Sequence, residues 1–161
     1  MQSSNIAVED RKVVGIALEK AALTDNPAVA LELNDGRIVT GKTGHLLGSS
    51  AACLLNALKV LGNIDDEIEL ISPLIIEPIQ KLKVNHMGSA NPLLHTDEVL
   101  MALSICAVNN PTAKIAIEQL PKLKNCELHS TVILSHVDEK TFRSLGVHTT
   151  CEPQRKTLGV Y

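Results

Sequence analysis

A chain with almost no aromatic rings has few ways to build an interior. Phe142 and Tyr161 are the only Phe or Tyr in 161 residues and there is no Trp, while 45% of the residues are hydrophobic. The core must therefore come from Leu, Ile, Val, Ala and Met. At this length a folded domain removes roughly 68–70% of its unfolded surface from water, so such a core forms without disulfide or metal staples. The same scarcity narrows function. Single-strand nucleic-acid platforms need exposed rings and duplex binders need surplus Lys and Arg; the net charge here is −3, and no nucleic-acid partner is expected. Pro, Asn or a charge interrupts every apolar run before the ~20 residues a membrane span needs, so no membrane partner is expected either. Met1 to Arg11 lacks the basic start and apolar stretch of a signal peptide. Cys53, Cys106, Cys126 and Cys151 are scattered with no Cys-x-x-Cys pair, as in a cytoplasmic chain whose thiols are reduced and packed as small hydrophobes.

The periodicities predict an α/β fold: a layered sheet with a β-hairpin and flanking helices, in a single domain over 1–161 with a tail at 154–161. Val8 to Leu23 has helical spacing. Ala28 to Leu33 and Arg37 to Thr40 flank Asn34-Asp35-Gly36, a hairpin signal. A Gly/Ser-rich loop from Gly41 to Ser50 feeds a helix from Ser50 to Leu61, with Gly62 as its stop. Ile68 to Ile71 reads as a short strand, and the prolines between Ser72 and Pro92 predict one or two helical turns followed by an ordered loop. Thr96 is the expected N-cap of a mostly buried helix, with Asp97 and Glu98 in its first turn. Asn110-Pro111 opens the next helix and Pro121 closes it. Glu127 to Leu134 is a strand, Ser135 to Asp138 starts a short helix, and Val147 to Cys151 is the last strand.

Gly36 and Gly41-Lys42-Thr43 spell the letters of a phosphate loop. The setting does not fit, because Gly36 falls at a hairpin tip and no helix follows Thr43 directly; the chain is not expected to hydrolyse ATP. Gly48-Ser49-Ser50 at a helix start, with Lys42 nearby, reads either as a cradle for a phosphate or carboxylate or as a plain capped helix. A denser polar cluster runs from Lys83 to Glu98, with Asn85, His86, Ser89, Asn91, His95, Asp97 and Glu98. His86 and His95 with His129 form a conceivable zinc set, weighed against an anion site and against purely structural polar groups; no metal is assigned. His45, His136 and His148 read as solvated or capping. Lys81, Lys83, Lys122 and Lys124 read as exposed charges.

Several segments together carry a resemblance: Asp35 to Thr43, Pro78 to His86, Gly88 to Pro92, Leu94 to Glu98 and Leu128 to Leu134. Over about Val8 to Pro153 the chain resembles the C-terminal portion of the bacterial family known as UPF0371, or domain of unknown function 1846. The resemblance implies a cytosolic bacterial α/β domain. Family members are much longer, and the glycine-rich stretch ending in Gly-Ser-Gly-Lys in their preceding region has no match here. It adds weight to Asn85, His86, Asn91, His95, Glu98, His129 and Ser130, and to Gly41 and Lys42. Neither cofactor nor reaction is implied.

Two functions remain. In the first, the domain binds an anionic small molecule: Lys42 neutralises charge, Asn85 or Asn91 orients the ligand, and His86, His95 and His129 share one pocket with Glu98 and Ser130. In the second it is a structural or assembly domain of a larger protein, with no site of its own, whose helix from Thr96 to Val108 packs against a missing N-terminal region or another subunit. Self-association is expected if that face is uncovered.

Overall fold

A computed structural model describes residues 14, 16–19, 28–44, 46–131 and 134–151. His45, Val132, Ile133, the tail 154–161 and most of the helix expected over Val8 to Leu23 lie outside them; residues 14 and 16–19 are helical. The architecture is α/β, with one four-stranded mixed sheet in the order β2-β1-β3-β4. Its strands are β1 (Ala28–Glu32), β2 (Ile38–Lys42), β3 (Glu127–Ser130) and β4 (His148–Cys151). β1 is antiparallel to both of its neighbours, and β3 and β4 are parallel. It follows that β2, β3 and β4 all end at the same edge of the sheet.

The hairpin forms for local reasons. Gly36 adopts φ +91°, which a side chain resists, and Asp35 Oδ1 accepts from the Arg37 amide at 3.0 Å. The register then pairs Val29 with Gly41 and Leu31 with Val39. β2 runs on to Lys42, so Gly41 and Lys42 belong to the strand and not to the loop expected there. β1 is the centre of the molecule: Ala28, Val29, Ala30 and Leu31 are all fully buried. Strand alternation sends Val29 and Leu31 into the main core, while Ala30 packs with Val14 and Ala17 on the other face.

The main core lies under helices α1 (Ser49–Leu61), α2 (Pro73–His86), α3 (Thr96–Cys106), α4 (Pro111–Ile117) and α5 (His136–Ser144), with a 3₁₀ turn at Leu120–Leu123. Leu54, Leu58, Leu94, Leu103 and Leu128 are each fully buried, contributing about 1.5–3 kcal/mol apiece. Phe142 is fully buried among them, whereas Met87 and Met101 are exposed; the core takes its ring and leaves these methionines outside.

Gly62, Asn110 and Ser135 act as read from the sequence. The Asn110 side chain accepts from the Thr112 and Ala113 amides, and Ser135 Oγ from Asp138. Three readings are corrected. Residues 65–71 form turns and bends, with no strand at Ile68 to Ile71. The stretch after Ser72 is one 14-residue helix, α2. Ser72 caps it, Pro73 occupies its first position, and Pro78 deprives only the carbonyl of Leu74, a residue 80% exposed, so water takes its place. Finally, α3 is capped at His95 and is only half buried, because Met101 and Ile105 face outward. No helix among the described residues is long and apolar enough to cross a membrane.

Gly41 is where α1 meets the sheet. A Cβ there would overlap the Cys53 amide nitrogen and stand 2.6 Å from the Ser49 carbonyl oxygen, both backbone atoms of α1. The glycine of the phosphate-loop lettering is thus a docking point for a helix. Gly41→Ala is expected to lower stability by about 2–3 kcal/mol, at the upper end of overpacking costs, because helix backbone cannot swing aside. Gly44→Ala, where nothing lies within 4 Å, is expected to change it by less than about 0.5 kcal/mol. Urea unfolding of the two variants checks the contrast.

Candidate functional site

The edge where β2, β3 and β4 end is the usual place for a ligand in an α/β sheet, and a cleft of about 170 Å³ opens there. It is lined by Thr43 after β2, Gly48, Ser49 and Ser50 at the start of α1, and Asn91, Leu93, Leu94 and His95 before α3. Ser130 at the end of β3 and Leu134, Ser135 and Asp138 around the start of α5 complete it. The first two walls are tied by backbone: Gly48 donates to the Leu94 carbonyl at 3.2 Å and Leu94 to the Leu46 carbonyl at 3.1 Å. The starts of α1 and α3 therefore stand side by side.

These helix starts differ in how their amides are satisfied. At α3, Glu98 Oε1 accepts from the His95 amide at 2.8 Å. Asp138 Oδ1 accepts from the Thr96 amide at 2.9 Å and from Thr96 Oγ1 at 2.8 Å. Protein carboxylates already occupy that positive end. At α1, Gly48 offers no side-chain cap and the first turn holds no acid. Ser49 and Ser50 are largely covered, but their hydroxyls are not among the buried atoms without partners; they line the cleft and bond to no protein group among the described residues.

Behind His95 sits an ion pair absent from the sequence reading. Lys83, taken there as an exposed charge, is only 5% exposed. Its Nζ donates to Glu98 Oε1 at 2.8 Å and to the Leu93 carbonyl at 2.6 Å, tying α2 to the loop and to α3. The signal was available once α2 is recognised as a helix, since Lys83 follows the buried Ile76 by seven residues, two turns on the same face. Burial alone would raise the Glu98 carboxyl, but the His95 amide and the Lys83 ammonium outweigh it and hold it below its ordinary value. His95 Nδ1 lies 3.4 Å from the same Glu98 oxygen.

The other expected site residues fall as follows. Asn91, His95 and Ser130 line the cleft together. Asn91 Oδ1 accepts from the Leu93 amide at 3.0 Å, which leaves its NH₂ as the group able to bind a ligand. Glu98 lies behind His95. Lys42 lines a separate groove along β2 with Asn56, Lys59 and Asp66. Asn85 and His86 are exposed on the last turn of α2 and are not among the cleft residues. His129 is fully buried with Nδ1 2.6 Å from Thr150 Oγ1. Because neighbours along a strand face opposite ways, His129 lies on the Ala30 side of the sheet and Ser130 on the core side. No three of His, Cys, Asp and Glu gather as a metal site among the described residues. The four thiols are unpaired, and burial pushes those of Cys53 and Cys126 up, away from the reactive thiolate.

Residues 9–161 match the family model described as Domain of unknown function DUF1846, C-terminal. The chain belongs to that family. It is 56% identical over 160 residues to a UPF0371 protein of Corynebacterium glutamicum, covering 98% of this chain and 32% of that protein. A UPF0371 protein of Corynebacterium efficiens is 57% identical over the same shares. One of Clostridium tetani is 47% identical over 169 aligned positions, covering all of this chain and 34% of its own length. The chain thus spans about a third of the length of the curated relatives it matches. In this DUF1846 C-terminal domain the matched part contains every wall of the cleft.

The Lys83–Glu98 pair yields a pH test. A carboxyl whose folded value is depressed stabilises fully above its unfolded value, about 4.3, and loses that contribution as pH falls through the folded value. Glu98→Gln is expected to lower stability at pH 7 by about 2–3 kcal/mol, because it strands a buried ammonium, and to flatten the loss of stability on acidification. Lys83→Met is expected to cost less. Denaturant melts of the three proteins between neutral and acid pH decide it.

Proposed function

We propose that the domain binds a small phosphate- or carboxylate-bearing molecule in the cleft at the carboxyl ends of β2 and β3. The observation that supports the reading is the pair of Ser49 and Ser50 hydroxyls, which line the cleft at a helix start without a side-chain cap and are bonded to no protein group among the described residues. Hydroxyls that face a cleft are free to bond to a ligand, and the first-turn amides of α1 add a positive field of the kind that receives anions. Asn91 and His95 supply donors from the opposite wall, and Ser130 lines the floor.

Asp138 also lines the cleft. Its Oδ1 is engaged by Thr96, so its charge is directed at the start of α3. Lys42 is not assigned to the binding set, because it lines the neighbouring groove. A cleft of about 170 Å³ receives an anionic head group and leaves the rest of a larger ligand outside.

Thermal-shift titration with inorganic phosphate, a sugar phosphate and citrate tests the proposal. At a ligand concentration of about 100 Kd the native state gains about 2.7 kcal/mol, a clear rise in melting temperature. Ser50→Ala is expected to weaken binding about tenfold, the loss of one charge-assisted hydrogen bond, while leaving the ligand-free melting temperature nearly unchanged; His95→Ala is expected to weaken binding similarly and also to lower that temperature, because His95 caps α3. No shift with any of the three anions overturns the reading.

A further inference from the structure

The two sides of the sheet are closed differently. Val14 and Ala17 cover the Ala30 face, and α1 to α5 cover the other. The outer surface of that helical layer carries an apolar patch. Met101 and Ile105 stand one turn apart on α3, and Val108 follows on the same side; they are 65%, 70% and 79% exposed. This ridge runs between two open grooves. One, of about 490 Å³ between α3 and α5, adds Leu100 and Val137. The other, of about 370 Å³, adds Ile75 from the start of α2. Contiguous apolar surface of this kind on a water-exposed layer marks an interaction site.

We propose that this face seats the preceding region of the longer family proteins, packed intramolecularly as a domain interface. The lengths point to that occupant. The matched part is 32% of the Corynebacterium relatives, and the family model is C-terminal by its description, so about two thirds of each relative lies outside it. A region tethered to this domain is present at high effective concentration whatever the protein concentration. Two apolar grooves flanking a ridge match the relief of an interdomain contact of about 600–1,500 Å². The Ala30 face is not open to it, since residues of this chain already cover it. The proposal is independent of the cleft, which lies among the helix starts.

Carbene footprinting, which reads side-chain exposure, tests it on this chain and on the full-length UPF0371 protein of Corynebacterium glutamicum. The peptide spanning α3, and its aligned counterpart in the longer protein, are compared with the hairpin turn at Asn34–Arg37 as internal reference. The expected result is several-fold lower labelling of α3 in the longer protein, with the turn unchanged. Glu in place of the residue aligned with Ile105 is expected to restore α3 labelling in the longer protein, whereas Ile105→Glu in this chain leaves its melting temperature unchanged because the side chain faces water. Equal labelling of α3 in the two proteins overturns the proposal. So does labelling that falls in this chain on concentrating the sample while the longer protein stays as exposed as the dilute chain, which assigns the face to a second copy.

Discussion

The approach of α1 to β2 at Gly41 governs the rest of the architecture. Backbone meets backbone there, within a distance that excludes even a methyl group, so the helix has one depth and one lateral position on the sheet. Leu54 and Leu58 then reach the core beside Val29 and Leu31, and the start of α1 is placed at the edge where three strands end. A helix held a methyl's breadth further out would leave voids under its leucines, and each such void carries a stability cost because interiors are packed like crystals. It would also carry Ser49 and Ser50 away from His95 and Ser130.

Around that contact the polar groups divide into those spent on the fold and those left over. Glu98 serves the His95 amide and the Lys83 ammonium together, and Asp138 joins α5 to the first turn of α3. Asn34 reaches the carbonyls of Lys122 and Lys124 across the molecule. Buried side chains with charges are tolerable only when paired in this way. Against that background the start of α1 stands out because the hydroxyls of Ser49 and Ser50 face the cleft and take no part in holding the fold together.

Much of the fold was legible because its signals are local. Asp35-Gly36 turns the chain, Asn110-Pro111 and Ser135 begin helices, and Gly62 ends one; each needs only its immediate neighbours. The failures have physical sources. Pro78 argued for a broken segment, and the helix survives because the orphaned carbonyl belongs to an exposed first turn. Ile68 to Ile71 has strand composition but no strand partner, and a strand without a partner does not form. Thr96 has the chemistry of an N-cap, yet its hydroxyl donates to Asp138 and the cap moves to His95. At the site, the polar segment from Asn85 to Glu98 was legible as composition only. Once it is divided into the end of α2, a loop and the start of α3, its residues separate, so that Asn91 and His95 reach the cleft while Asn85 and His86 lie exposed on the last turn of α2. Ser130 and His129 are neighbours in sequence and lie on opposite sides of the sheet, which only the register reveals.

The central position of β1 carries a consequence for the order in which the protein folds. Its hairpin partner follows within a few residues, but its other partner, β3, lies about a hundred residues later; Ala28 and Thr131, which close that pairing, are 103 positions apart. During synthesis the hairpin and α1 can assemble as soon as they emerge, leaving one long edge of β1 without its ladder until β3 leaves the ribosome. Contacts of such separation slow folding, since the chain must lose loop entropy before it gains the pairing. In that interval the open edge has the backbone pattern that recruits strands from other chains. Ala28, Ala30 and the other small or aliphatic residues of β1 give it no charge before Glu32 with which to turn them away.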